Sequence, residues 1–140
     1  MMPARETIMT ALATLLFASS SFKTTGRKVL LWNETNNQPA IFVRNVRDVV
    51  EYHSVMSLTT MHVEVWIYSK TLDGSPPGIG LNNLVDAAIA ALAPTGADTR
   101  LQRQTLGGLV NSVRVTRVDF DPGDLDSQAK AVIDLEIVVP

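Results

Sequence analysis

The 140-residue chain contains no cysteine. That absence excludes a disulfide framework, thiolate zinc sites and cysteine nucleophiles, and leaves the redox compartment open. No apolar run approaches the ~20 residues that a membrane span requires, so no membrane partner is expected. Nor is there a basic excess. Twelve Lys and Arg against 14 Asp and Glu give a formal net charge of −2, without the positive field that supplies most non-specific affinity for nucleic acid. What is present is a globular composition, 46% hydrophobic and 19% charged, in a length that suits one domain, residues 1–140, able to bury a core without covalent staples.

Ile8 to Ala18 is an apolar stretch of the length found in signal peptides. Arg5 is neutralised by Glu6, however, and Thr7, Thr10 and Thr14 repeat at helical spacing opposite Ile8, Leu12, Leu15 and Leu16. With Pro3 suited to a first turn, the stretch is expected to be an amphipathic helix retained in the fold. Ser19-Ser20-Ser21 ends it. An extended segment over Arg27–Trp32, a polar turn over Asn33–Asn37 and a strand over Ala40–Val46 follow. From Val46 to His53 the signals conflict: Val46, Val49, Val50 and His53 fit helical spacing, while the β-branched content favours a strand. An extended or irregular arm is expected there, and the apolar segment Val46–Met56 as a whole is expected either to reach a neighbour or to serve as a core strand.

Thr59–Thr71 is the clearest strand, with Met61, Val63, Val65 and Ile67 on one face and His62, Glu64, Trp66 and Tyr68 on the other. Leu72–Gly78 reads as a loop. A second helix carries Leu81, Leu84, Val85, Ala88, Ile89 and Leu92 as one buried stripe and stops at Pro94. After Gly107-Gly108 come strands over Leu109–Phe120 and Lys130–Val139, joined by a turn at Asp121-Pro122-Gly123-Asp124. This order implies an α+β fold: a single mixed, mainly antiparallel sheet with two helices packed on it.

Motifs for catalysis fail on inspection. His62-Val63-Glu64 matches half of the zinc deaminase signature, but the cysteine half is absent. His53 lies in no helical His-based ligand pattern. Gly78-Ile79-Gly80 before a helix hints at a phosphate-binding turn, yet Asn83 replaces the third glycine and the βαβ context is missing. Asp119, Asp121, Asp124 and Asp126 look like a calcium loop, but Gly123 and Lys130 stand where oxygen ligands belong. Ser75 has no nucleophile elbow. The expectation is a non-enzyme with no metal and no cofactor.

A pattern of charge remains. Arg100, Arg103, Arg114 and Arg117 occur with no acid among them and are followed at once by Asp119, Asp121, Asp124 and Asp126. One reading is an ordinary solvated surface. The other is a subunit interface: opposite patches on different sides of one domain favour head-to-tail contacts that close into a ring when the rotation permits.

Several pieces together carry a family resemblance. They are Arg5-Glu6-Thr7-Ile8 before an apolar helix, Gln38-Pro39-Ala40-Ile41-Phe42, Val63-Glu64-Val65-Trp66-Ile67-Tyr68, Ala90-Ala91-Leu92-Ala93-Pro94, Leu106-Gly107-Gly108-Leu109-Val110, and Gln128-Ala129-Lys130-Ala131-Val132-Ile133 through Val139-Pro140. In this order they resemble the tail terminator and minor tail protein U-like family of long-tailed bacteriophages and prophages. The resemblance implies a homohexameric ring at the head-proximal end of the virion tail, assembled in the host cytoplasm. Such a ring docks on the tail tube protein, stops its polymerisation and presents a surface to the head-tail connector or neck protein, with DNA only passing through the lumen. It carries over no catalytic residue and no cofactor. A neck or head-completion protein of the same particle, and a secreted or periplasmic binding domain, are the alternatives.

Overall fold

A computed structural model describes residues 4–32, 35, 37–70, 78–94, 103–121 and 128–139. Pro3, most of the Asn33–Asn37 turn, the loop from Thr71 to Pro77, the turn from Pro122, and Arg100, Asp124 and Asp126 lie outside the described residues. Among the described residues, two helices, α1 (Arg5–Phe17) and α2 (Ile79–Ala91), and five strands form the fold: β1 (Thr24–Gly26), β2 (Ala40–His53), β3 (Met56–Lys70), β4 (Ser112–Asp121) and β5 (Gln128–Val139). The strands make one sheet in the order β1-β2-β3-β5-β4. Only the short β1–β2 pairing is parallel. The fold is therefore α+β with a mixed, mainly antiparallel sheet.

The period-2 alternation of the central strands decides which face is covered. Met61, Val63, Val65 and Ile67 of β3 stand opposite Ile137, Leu135, Ile133 and Ala131 of β5. Together with Ile41 and Val43 of β2 they form one buried cluster with α1 and α2. From α1 come Ile8, Met9, Leu12 and Leu16, all fully buried, and the threonine face at Thr10 and Thr14 points outward as the spacing requires. Leu15, expected in the buried stripe, is only half-buried. From α2 come Leu81, Val85 and Ala88. Leu84 is half-buried and Ile89 is 37% exposed, so the stripe is narrower than its spacing suggests.

α2 begins after Gly78, whose φ of 86° is the left-handed conformation that favours glycine. A Cβ at Gly80 would stand 3.2 Å from the Ser69 hydroxyl. Close packing of helix on strand, rather than a phosphate-binding turn, accounts for the glycine there.

The opposite face is covered at one end only. Val29, Leu30 and Trp32 lie over Ala40, Phe42 and Tyr68, and the Tyr68 hydroxyl donates to the Leu30 carbonyl at 2.7 Å. Burial of the phenol raises the Tyr68 pKa by desolvating its charged form. The extended segment expected at Arg27–Trp32 is instead irregular backbone held by these side chains, and the first strand lies just before it, at Thr24–Gly26. Likewise the fourth strand starts at Ser112, because Leu106 to Val110 form a turn.

Val46–His53 is neither irregular nor a core strand. It continues β2 without a break and pairs with Met56–His62 of β3 in a long hairpin, turning at Ser54-Val55. The conflicting periodicity has a local cause. A β-bulge between Asn45 and Arg47 inserts Val46 and reverses the inside-outside phase of everything after it.

Two substitutions test the packing. Leu81→Asp puts a carboxylate into the core without a partner and is expected to abolish the cooperative thermal melt. Ile79→Asp, at an exposed first-turn position of a helix that has no acid there, should leave the melt intact and shift stability by no more than about 1 kcal/mol, in the stabilising direction if the helix dipole dominates.

Candidate functional site

Three surface features stand out, and none is an assembled catalytic centre. The first is the distal half of the β2–β3 hairpin. The pairs Glu51–Leu58, Tyr52–Ser57 and His53–Met56 lie beyond Val139, the last residue of β5 in the ladder, which pairs with Thr59. Past that point no described residue of β1 or β5 flanks the hairpin, and the side chains from Glu51 to Ser57 are exposed. Val55 is 98% exposed, Tyr52 79% and Met56 71%. Val49 and Val50 are also exposed large apolar residues. A projecting tip that carries three large apolar side chains loses hydrophobic stabilisation unless something covers it.

The second feature is the uncovered part of the sheet. Strand register builds two rows of charge across it. One row runs Arg44, Glu64, Asp134, Arg117 and the other Arg47, His62, Glu136, Arg114. The cations stand on the outer strands β2 and β4, and the acids of these rows stand on the inner strands β3 and β5. Glu64 accepts from Arg44 Nε at 2.8 Å and from Trp66 Nε1 at 3.2 Å, and the Arg44 guanidinium lies 5.7 Å from the centre of the Trp66 ring. Arg114 pairs with Glu136 at 3.3 Å. The rows hold four arginines and three carboxylates, and Lys130, Asp119 and Asp121 on the same face bring cations and acids to five each, so no basic field builds up to attract a polyanion. A shallow cavity of about 310 Å³ lies between the rows, lined by Arg47, His62, Glu64, Arg117, Asp134 and Glu136 among others. Among the described residues no group of three or more histidine and acidic side chains is placed to hold a metal ion.

The third feature is an apolar hollow of about 320 Å³ on the helix side, lined by Ala11, Thr14, Leu15, Gln104, Leu106 and Gly107. Its rim is an unusual turn. Leu106, Gly107 and Gly108 all take positive φ, at 53°, 73° and 91°. Leu106 is held in this left-handed conformation, costly for a leucine, by Gln104. The Gln104 side chain is buried, donates from Nε2 to the Ala93 carbonyl at 2.9 Å and accepts the Leu106 N–H at 3.0 Å. The Thr105 hydroxyl and carbonyl both accept from Gly108 N–H at 3.1 Å. A Cβ at Gly107 or Gly108 would meet nothing within 4 Å, so backbone conformation and not space calls for glycine here.

The interface candidates read from the sequence fall differently from their expected arrangement. Arg114, Arg117, Asp119 and Asp121 lie on β4 and share the uncovered face, instead of segregating to different sides of the domain. Arg117 Nε lies 2.9 Å from Asp119 within the same strand. Arg103 is exposed and precedes Gln104 at the hollow. Tyr52, Val55 and Met56 fall within the Val46–Met56 segment that the sequence marks as apolar, but the hairpin turn inside it was not foreseen. The turn Ser54-Val55 lacks the Asn-Gly or Gly-containing signature of tight hairpins, and Ser54 takes its φ of 61° without it. The signal that remained was an apolar cluster with no periodicity.

A double-mutant cycle on Arg44→Ala and Glu64→Ala should give a coupling of only about 0.2–1 kcal/mol, as for exposed pairs. Glu64→Ala alone should cost more than Arg44→Ala alone, since it also removes the acceptor of the Trp66 indole. Urea melts of the four proteins measure both.

In comparison with known proteins, no family model matches this chain and no curated protein matches it.

Proposed function

We propose that this protein is a structural virion component, a tail terminator whose copies form a ring, taken as a hexamer, on the tail tube. In this reading the ring stops tube polymerisation and offers its other side to the head-tail connector. One observation carries the need for assembly: the hairpin tip, with Tyr52, Val55 and Met56 uncovered, is a surface that an isolated domain has no reason to keep. The family resemblance of the sequence supplies the particular assembly, and the self-balanced charged face agrees with DNA being cargo in the lumen and not a tight ligand.

Arg103, Arg114, Arg117, Asp119 and Asp121 stay candidates for contacts between copies. The Arg114 and Arg117 side chains are 64% and 69% exposed, so their present ion pairs are weak enough to exchange for contacts in an assembly. Alanine at His62, Glu64 or Asp121 is expected to leave tail joining within a few-fold of the parent, except where assembly itself suffers, since no chemistry depends on them in this reading.

The test combines light scattering after size exclusion with a tube-capping assay. The expected result is a ring with six times the 15.2 kDa chain mass and tail tubes of limited length when the protein is added during their polymerisation. A protein that stays monomeric at all concentrations and leaves tube length unchanged contradicts the proposal. Binding to the isolated connector without any effect on tubes replaces it with the neck-protein reading.

A further inference from the structure

The hairpin tip and the apolar hollow are complementary in kind, and they belong to one chain. We propose that the tip of one copy, Tyr52, Val55 and Met56, seats in the hollow beside Leu15 and Leu106 of a second copy. Copies are thereby joined head to tail. The inference deepens the ring reading and rests on it only for the number of copies.

Three observations select a second copy as the occupant. The hollow measures about 320 Å³, about twice the roughly 150 Å³ of an apolar cavity that accepts a benzene, and so has room for the side chains that the tip exposes. Its shape is maintained at the expense of a left-handed leucine pinned by a buried glutamine, which marks it as a built feature and not a packing fault. Charges beside the two elements are opposite: Glu51 lies next to the tip, with its side chain 61% exposed, and exposed Arg103 lies next to the hollow.

One copy cannot make this contact with itself. Arg5, at the start of α1, is bonded to Asp48 at 2.6 Å, five residues short of His53. The hollow lies two to three turns further along α1, which runs over the sheet core while the hairpin leaves it. Bringing the tip back would break the β2–β3 ladder. A contact between two different patches of identical chains is heterologous, and such contacts close into rings or extend as filaments.

Because the native chain has no cysteine, directed cross-linking reads the contact cleanly. Val55→Cys is at a fully exposed tip position and Thr14→Cys at an exposed position lining the hollow, so both variants should fold. The chain carrying both substitutions is expected to give covalent multimers on mild oxidation, while each single variant does not. Adding Met56→Asp should lower the cross-linked yield at least tenfold, and Glu51→Arg should weaken it until Arg103→Glu is added. Val55→Cys alone forming dimers as readily as the double variant means that tips meet tips, and overturns the proposal. So does a double variant that yields no multimers at concentrations where light scattering finds assembly. Tube capping measured in parallel separates the two ideas: cross-links without capping sink the terminator reading and leave this contact standing, and capping without cross-links does the reverse.

Discussion

Strand β3 is longer than either helix that packs on it. Its fifteen residues span about 50 Å at strand rise, whereas the thirteen-residue helices span about 20 Å each. The helices therefore cover one stretch of the strand, Met61–Ile67 and its neighbours, and the remainder has to leave the core together with its partner β2. Burial along β3 follows this division, with exposed or half-buried residues from Met56 to Thr60 and alternating burial from Met61 onward. One continuous strand thus serves as the central core element and as half of a projecting arm. The arm inherits its direction from the core.

The same constraint explains where polar groups sit. On the helix side of the central strands the alternation is apolar from Met61 to Ile67 and from Ala129 to Val139, with Ser69 the polar exception beside α2. On the opposite side only the end near Ala40 is roofed, by Trp32 and its neighbours, and the open part carries charges in compensating rows. Arginines on β2 and β4 are offset across the ladder by acids on β3 and β5, as Arg44 is by Glu64 and Arg114 by Glu136, although Glu64 and Asp134 do face each other. Bulges at Val46 and Thr116 interrupt both outer strands near these rows. The bulge in the edge strand β4 disfavours edge-to-edge growth on that side.

Much of this was legible from residue pattern. The two helices, the central strands and the mixed sheet follow from periods of 3.6 and 2 that stay in phase over the whole element. Reading failed where the phase breaks. The bulge at Val46 shifts the alternation, and beyond it Val49 and Val50 are both exposed because the arm has no inside, so neither period applies. The Leu106–Gly108 turn was read as the lead into a strand, since a left-handed leucine held by Gln104 leaves no mark in composition. The charge candidates were read as opposite patches on different sides of the domain, whereas β4 puts the described ones of 114–121 on one face and strand pairing with Glu136 on β5, 22 residues away from Arg114, gave that arginine a partner that local sequence could not supply.

The account turns on the arm being a rigid projection that another molecule covers. Hydrogen exchange followed by mass spectrometry, over a range of protein concentrations, measures this directly. Amides from Val63 to Ile67 should exchange slowly at every concentration. Those from Val49 to Leu58 should exchange fast in the dilute monomer and slow down in step with assembly. Arm amides that exchange equally fast while the mass in solution rises, or that are already as slow as the core in the monomer, would contradict the account.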